Sequence, residues 1–281
     1  MKQKFRFGIM GAAKIAYTFC SAIAFIEDAE VVAVSSKDLQ RAQEFAEKNN
    51  IAHAYDDYET MLKTSALDCV YIAVTQNAHY DLTMLCLDYG VPVLCEKAMF
   101  LNSIHAQTVF QRAASSKVFV MEAMWSRFLP AHKKALEWIQ RGQIGELLFI
   151  DAEFGFLAPH DPNNRYFSPA LGGGTSYDLT VYAYELARFY CNQPIRNKTV
   201  HALWGETGVD VTNHVAIQFD TVLASLKTSF VMDLGSQMVL YGENGKIVLP
   251  NIAGSTEAYL YRNGSPEPQQ HFLDDQTKNG F

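Results

Sequence analysis

The chain has 281 residues, 49% hydrophobic and 19% charged, with a net charge of -7; this is enough for two domains with separate cores, in a protein of ordinary globular composition. The acidic balance, with no basic stripe carrying interleaved aromatics, argues against a nucleic-acid partner. No apolar segment approaches the roughly 20 residues needed to span a bilayer, and the five cysteines form no C-x-x-C pair, so reduced thiols in a cytoplasmic protein are expected.

The basic start Met1-Lys2-Gln3-Lys4 leads into an apolar run broken at Gly8 and Gly11. That is a first strand, not a signal peptide. Phe5–Met10, the helix opening Gly11-Ala12-Ala13-Lys14-Ile15-Ala16 and a second strand over residues 30–35 have the spacing of a dinucleotide-binding βαβ unit. Gly11 supplies a tight turn, and the small Ala13 and Ala16 let backbone amides approach a pyrophosphate at the positive end of the helix. Ala13 stands where a second glycine is common, so the motif by itself also reads as an ordinary helix start after a buried strand. The spacing of all four elements favours the cofactor. An NAD-type fold usually offers Asp or Glu at the tip of the second strand, whereas this chain offers Ser35, Ser36 and Lys37. Hydroxyls and a cation suit a 2′-phosphate, so NADP is expected, with NAD as the alternative.

Residues 38–49 carry helical spacing with Asp38 as N-cap. Residues 68–74 and 91–95 suit buried parallel strands, and a helix over residues 78–89 stops at Gly90. This alternation predicts an α/β Rossmann domain over residues 1–122, a parallel sheet with helices on both faces. From residue 146 the texture changes to strands over residues 147–156, 199–206, 213–219, 222–230, 237–241 and 246–249, interrupted by one helix over residues 176–191. Residues 123–281 are therefore expected to form an α+β domain with a largely antiparallel, open-faced sheet, serving substrate binding and oligomerisation. With one helix for two sheet faces, Val215, Ile217 and Phe219 are expected on an exposed apolar face that a two-fold partner covers.

Three constellations could carry chemistry. Cys95-Glu96-Lys97 closes the fifth strand, at the carboxyl end where open α/β sheets place ligands. A lysine there can set a positive charge beside a nicotinamide and a substrate oxygen, with the carboxylate positioning it; a surface salt bridge is the competing reading. In Gly172-Gly173-Gly174-Thr175-Ser176-Tyr177-Asp178-Leu179-Thr180-Val181-Tyr182, three glycines would let backbone pass close to a ligand, and Asp178 and Tyr182 share a helical face. A phenol near an ammonium can exchange a proton with an alcohol oxygen; a core tyrosine with a capping aspartate is the alternative. Trp125, Phe128, Phe154 and Phe156 read as core or as ligand wall. The eight histidines show no ligand spacing, so no metal site is expected.

Together, GIMGAAKIA (residues 8–16), VLCEKAM (93–99), FVMEAMWSRFLP (119–130), AEFGF (152–156) and ETGVD (206–210) resemble the glucose-fructose oxidoreductase and inositol dehydrogenase (Gfo/Idh/MocA) family, in its dihydrodiol dehydrogenase-like branch. The resemblance runs over nearly the whole chain. It implies a Rossmann domain followed by an open-faced α+β domain, NAD(P) chemistry on a hydroxyl carbon, and dimers or tetramers. Its glycine motif adds Gly8, and with it Ala12, Lys14 and Ile15, to the expected cofactor contacts. Lys97 matches the family's catalytic lysine, Asp178 the aspartate of its second motif, and Trp125 and Phe154 positions near nicotinamide and substrate. Many relatives carry histidine where this chain, like the dihydrodiol branch, has Tyr182. Ala98 replaces the proline that follows the lysine, and relatives continue past the position of Phe281, which implies a shortened carboxyl end.

The expectation is thus an NADP-dependent oxidoreductase moving a hydride between nicotinamide and the CH–OH carbon of a sugar, polyol or cyclic diol. Tyr182 would be acid and base, Lys97 would tune it, Asp178 would orient the pair, and Glu96 and Lys97 would also border the cofactor. A non-catalytic NAD(P)-binding regulator of the same fold is the alternative.

Overall fold

A computed structural model describes residues 4–275, and the chain divides into two compact units that part between Ala123 and Met124. The first contains β1 (Phe5–Met10), α1 (Lys14–Ile23), β2 (Ala29–Ser35), α2 (Leu39–Asn49), β3 (His53–Tyr55), α3 (Tyr58–Thr64), β4 (Cys69–Ile72), α4 (His79–Asp88), β5 (Val93–Cys95), α5 (Ser103–Ser116) and β6 (Val120–Glu122). The sheet is parallel throughout, in the order β3-β2-β1-β4-β5-β6, the doubly wound arrangement whose strand order reverses between β1 and β4.

Both faces of this sheet are covered, which is why its strands read as unbroken apolar runs. Alternate residues point opposite ways. Ile9, Val34 and Tyr71 meet Phe19 and Phe45 in one core, while Met10, Val70 and Ile72 meet Met61 and Leu82 in another. Local signals set the helix ends. The Asp38 and Asp57 side chains accept the amides of Arg41 and Thr60, and Gly90, at φ +68°, follows the end of α4.

The second unit holds α6 (Pro130–Gln140), β7 (Leu147–Gly155), a π-helical turn (Ser176–Thr180) running into α7 (Val181–Tyr190), and β8 (Ile195–Trp204), β9 (Asp210–Phe219), β10 (Leu223–Ser229), β11 (Gly235–Gly242), β12 (Gly245–Leu249), β13 (Glu257–Arg262) and β14 (Gln270–Leu273). Their order is β14-β13-β12-β11-β7-β10-β9-β8, antiparallel except for the pair β7 and β10.

The placement of the apolar face corrects the sequence expectation. Ile217 and Phe219 are 3% and 1% exposed, in the core that α6 and α7 form on the sheet with Ala135, Trp138 and Leu186; Val215 packs against that core. Ile217 and Phe219 lie on the side of the sheet that α7 covers, where the Arg188 guanidinium sits 5.9 Å from the centre of the Phe219 ring; α6, which the sequence reading did not name, packs on β12, β13 and β14. Strand register puts Phe149, Leu223 and Tyr241 in one row on the opposite face, next to a row with Ser225, Asp151, Val239 and Val248. Lys227 bridges Asp151 and Glu153 there, at 3.0 and 2.7 Å. Among the described residues, no helix is long and apolar enough to cross a membrane.

Candidate active site

In the first unit the turn after β1 admits only glycine at position 11. Gly11 has φ +104°, and a Cβ there would lie 2.3 Å from the Ala73 carbonyl oxygen. Ala13 then caps α1 in extended conformation, with no side-chain hydrogen bond closing the helix start and no acidic residue in its first turn. Such an end suits an anion. Ala12, Ala13 and Ile15 are half-buried and Lys14 is exposed around it. Gly8 sits inside β1, where a Cβ would meet the end of the Leu67 side chain, Cδ1 at 2.6 Å.

At the tip of β2, Ser35 is fully buried and its hydroxyl has no hydrogen-bond partner. Ser36 is 6% exposed; its Oγ accepts the Asp38 amide at 3.4 Å and its own amide donates to the Tyr55 carbonyl. Lys37 is exposed, and its backbone N–H donates to the Tyr58 oxygen. Burial raises the Tyr58 phenol, and the charge of Arg41 acts against that rise. Arg41, in the first turn of α2, is a second cation near this tip that the sequence reading did not single out, although it stands only four residues after Lys37. The one carboxylate close in sequence, Asp38, is occupied in capping α2.

Around the end of β5, three side chains hold the turn that carries Lys97. Glu96 is buried; it accepts the Tyr71 hydroxyl at 2.6 Å and the Lys97 amide at 3.3 Å. Burial raises its carboxyl, against the pull of Tyr71 and Lys97. His79, fully buried, sets Nδ1 3.1 Å from the Ala98 carbonyl and Nε2 3.1 Å from that of Val74. Burial lowers its pKa. Glu122 accepts the Met99 amide at 2.8 Å. The Lys97–Ala98 peptide is cis, and the Lys97 side chain is half-buried. Tyr71, His79 and Glu122 were not anticipated; the position of His79 just beyond β4, at a carboxyl edge of the sheet, was the available signal.

In the second unit the structure brings Trp125, Phe154 and Tyr182 together. Trp125 Nε1 donates to Tyr182 Oη at 3.0 Å, and the rings of Trp125 and Phe154 each meet Tyr182 edge-on, 6.2 and 6.1 Å between centroids. Phe128, by contrast, is half exposed. Asp178 lies in the π turn, 8% exposed, and Arg165 holds its carboxylate in a fork at 3.0 and 3.4 Å while stacking 4.3 Å above the Tyr166 ring. Arg165 is a further residue the sequence reading missed, because it comes from an irregular loop. Two of the three glycines of 172–174 meet protein: a Cβ on Gly173 would crowd the Tyr166 and Ser168 carbonyls, and one on Gly174 would lie 2.3 Å from Asp210 Oδ1.

Comparison with known proteins follows this two-part division. Residues 5–124 match the oxidoreductase family with an NAD-binding Rossmann fold, GFO_IDH_MocA, and residues 132–248 match the GFO/IDH/MocA C-terminal domain. The trans-1,2-dihydrobenzene-1,2-diol dehydrogenase of Mus musculus is 36% identical over 257 residues, 90% of this chain and 76% of that protein. Its counterpart in Xenopus tropicalis is 32% identical over 250 residues, 88% and 75% of the two chains. Among solved structures, an aldose-aldose oxidoreductase from Caulobacter crescentus complexed with glycerol shares the fold with a TM-score of 0.88 at 18% identity, covering 99% of this chain and 86% of its own. A 3-ketoreductase from Actinomadura kijaniata in complex with NADP and TDP-benzene does so with a TM-score of 0.85 at 21% identity, over 96% and 84%.

Proposed function

Because the chain belongs to the GFO/IDH/MocA oxidoreductase family, we propose that this NAD(P)-dependent oxidoreductase uses NADP and acts on a CH–OH carbon of a cyclic diol, sugar or polyol. The observation that carries the reading is Tyr182, a buried phenol walled by Trp125 and Phe154, whose oxygen accepts the indole N–H. The dihydrodiol dehydrogenases at 36% and 32% identity support the substrate class.

The residues present fit a dinucleotide. The glycine-only turn at Gly11 and the start of α1, without a side-chain cap, would take its diphosphate. The orphaned hydroxyl of Ser35, the hydroxyl of Ser36 and the cations Lys37 and Arg41 would take a 2′-phosphate. When bound, the nicotinamide supplies the hydride acceptor or donor.

Tyr182 exchanges the alcohol proton at its Oη. Trp125 fixes that oxygen by donating to it, so the tyrosine's own proton points away from the indole. Lys97 supplies the positive charge that a forming alkoxide needs, and Glu96, His79 and Glu122 keep its backbone in place. Asp178, held by Arg165, binds a substrate hydroxyl. A screen of absorbance at the reduced-nicotinamide band, with dihydrodiols, inositols and aldoses against NADP and NAD, tests the whole. No turnover with any of them overturns it.

The assembly we propose is a homodimer or homotetramer built on the open sheet face, supported by the row Phe149, Leu223 and Tyr241. Light scattering that reports a monomer at micromolar concentration contradicts it.

A further inference from the structure

The helix that carries Tyr182 begins without help from its own sequence. Thr175 stands at the N-cap, yet no local side chain closes the helix start. The missing acceptor comes from β9, far along the chain. Asp210 Oδ2 accepts the Ser176 amide at 2.7 Å, the Thr175 hydroxyl at 2.6 Å and the Asn213 side-chain amide at 2.6 Å. A carboxylate placed there also meets the positive end of the helix. Asp210, Asn213 and Thr175 are 8%, 3% and 0% exposed, so the network is screened from water, where hydrogen bonds to an ion are strongest and their loss costs most.

Asn213 reaches further into the turn. Its Nδ2 lies 2.8 Å from Thr175 Oγ1, 3.1 Å from Ser176 Oγ and 3.3 Å from Thr180 Oγ1, and Thr180 in turn bonds Thr228 at 2.7 Å. Ser176 and Thr180 are the first and last residues of the π turn, so one amide spans the turn from end to end. Gly174 leaves room for the arrangement, since a Cβ there would collide with Asp210.

A π turn is wider than an α turn, and whatever follows it is rotated. In an uninterrupted helix Asp178 and Tyr182, four apart, would share a face. Here they take different partners, Arg165 and Trp125. We propose that Asp210 and Asn213 are positioning residues: the pair holds the π turn open and thereby sets the direction in which Tyr182 points relative to Asp178. The proposal rests on the assignment of Tyr182 as the proton-transfer group only for its kinetic readout.

The test uses Asn213→Ala and the milder Asp210→Asn, each measured for turnover, NADP affinity, melting temperature and amide hydrogen exchange over residues 174–182. Both should keep NADP affinity within about twofold while kcat falls, by on the order of 10²-fold for Asn213→Ala if Tyr182 is displaced by an ångström. The acidic limb of the kcat/KM profile for alcohol oxidation should also move in Asn213→Ala, because Tyr182 then leaves the indole N–H. The exchange of residues 176–182 should rise with little change elsewhere. The exchanged pair Asp210→Asn with Asn213→Asp should recover part of the turnover, since a carboxylate and an amide again face each other. A lower melting temperature with unchanged kcat and an unmoved pH profile would show a purely structural role and overturn the proposal. If the parent chain turns over no alcohol, exchange alone decides: unchanged protection at residues 176–182 in Asn213→Ala overturns the proposal, and selective loss there supports it.

Discussion

Trp125 Nε1 donates a hydrogen bond to Tyr182 Oη at 3.0 Å, although the two residues lie 57 positions apart in the chain. An indole N–H can only donate, so the tyrosine oxygen accepts and its own proton points away from the indole. Trp125→Phe keeps the ring contact and deletes the donor. Turnover should fall by about two- to tenfold, as the loss of one hydrogen bond worth roughly 0.5–1.5 kcal/mol implies. An oxygen that loses a donor holds its proton more tightly, so for alcohol oxidation, in which the phenolate takes the proton, the acidic limb of the kcat/KM profile should move to higher pH. A profile identical to the parent's would remove this role from Trp125.

Cofactor choice should follow the tip of β2. Lys37 and Arg41 are both exposed there, and NADP should bind more tightly than NAD. Lys37→Asp should narrow or reverse the difference, by about 1.5–3 kcal/mol for one charge-assisted hydrogen bond. Fluorescence titration with the two nucleotides measures it; equal affinities in the parent would defeat the NADP assignment.

Tyr182→Phe and Lys97→Met should each lower turnover by about 10²–10⁴-fold and leave NADP affinity nearly unchanged. Residues that act as one unit show strongly non-additive losses, so the double variant should be scarcely worse than either single one. Near-normal turnover in Lys97→Met would end the assignment of that lysine.

Acid should destabilise the second unit through His132. This histidine is fully buried, with Nδ1 2.7 Å from the Tyr190 hydroxyl, and burial pushes its pKa from 6.5 down to about 4. Between those values the unfolded chain binds a proton that the folded chain refuses. Stability is therefore complete above the unfolded value and is lost as pH falls from 6.5 towards 4, by up to about 3 kcal/mol. His132→Asn, which keeps an acceptor for Tyr190, should flatten the fall in melting temperature between pH 7 and pH 5. A parent that melts higher at pH 5 than at pH 7 would contradict the account.

The parallel sheet was legible through β1, β2, β4 and β5 and the helices α1, α2 and α4, because their signals are local, while β3, α3, α5 and β6 went unnamed. Asp38 caps from its own position, Gly90 follows α4, and Ile9 and Met10 belong to buried runs that need no distant partner to be read. The second unit hid more. Ala131, Ala135 and Trp138 have the spacing of a covering helix, but Pro130 and the aromatic cluster before it drew the reading towards a ligand wall. Ala258 and Leu260 alternate as strand residues, yet β13 follows an irregular loop over residues 250–256 and went unread. Of the candidate site, Lys97 and Tyr182 stood out by position at a strand end and on a helix. Their supports, His79, Glu122, Arg165 and Asp210, act across the fold, and no spacing in the chain announces a contact between a strand and a loop far removed in sequence.

The place of β7 in its sheet bears on how the second unit is assembled. It is the first strand of that unit to be made, yet its two neighbours are β10 and β11, among strands made long afterwards. On one side β8, β9 and β10 pair as an antiparallel meander of neighbours in sequence, and on the other β11 to β14 do the same. Each meander can zip through short loop closures, whereas the central strand must wait for both. We expect the earliest strand to dock last, with the stretch Leu147–Gly155 gaining protection after the hairpins on either side in pulse-labelled hydrogen exchange. Until then its apolar residues stay open to other chains, so the refolding yield of the whole protein should depend steeply on its concentration.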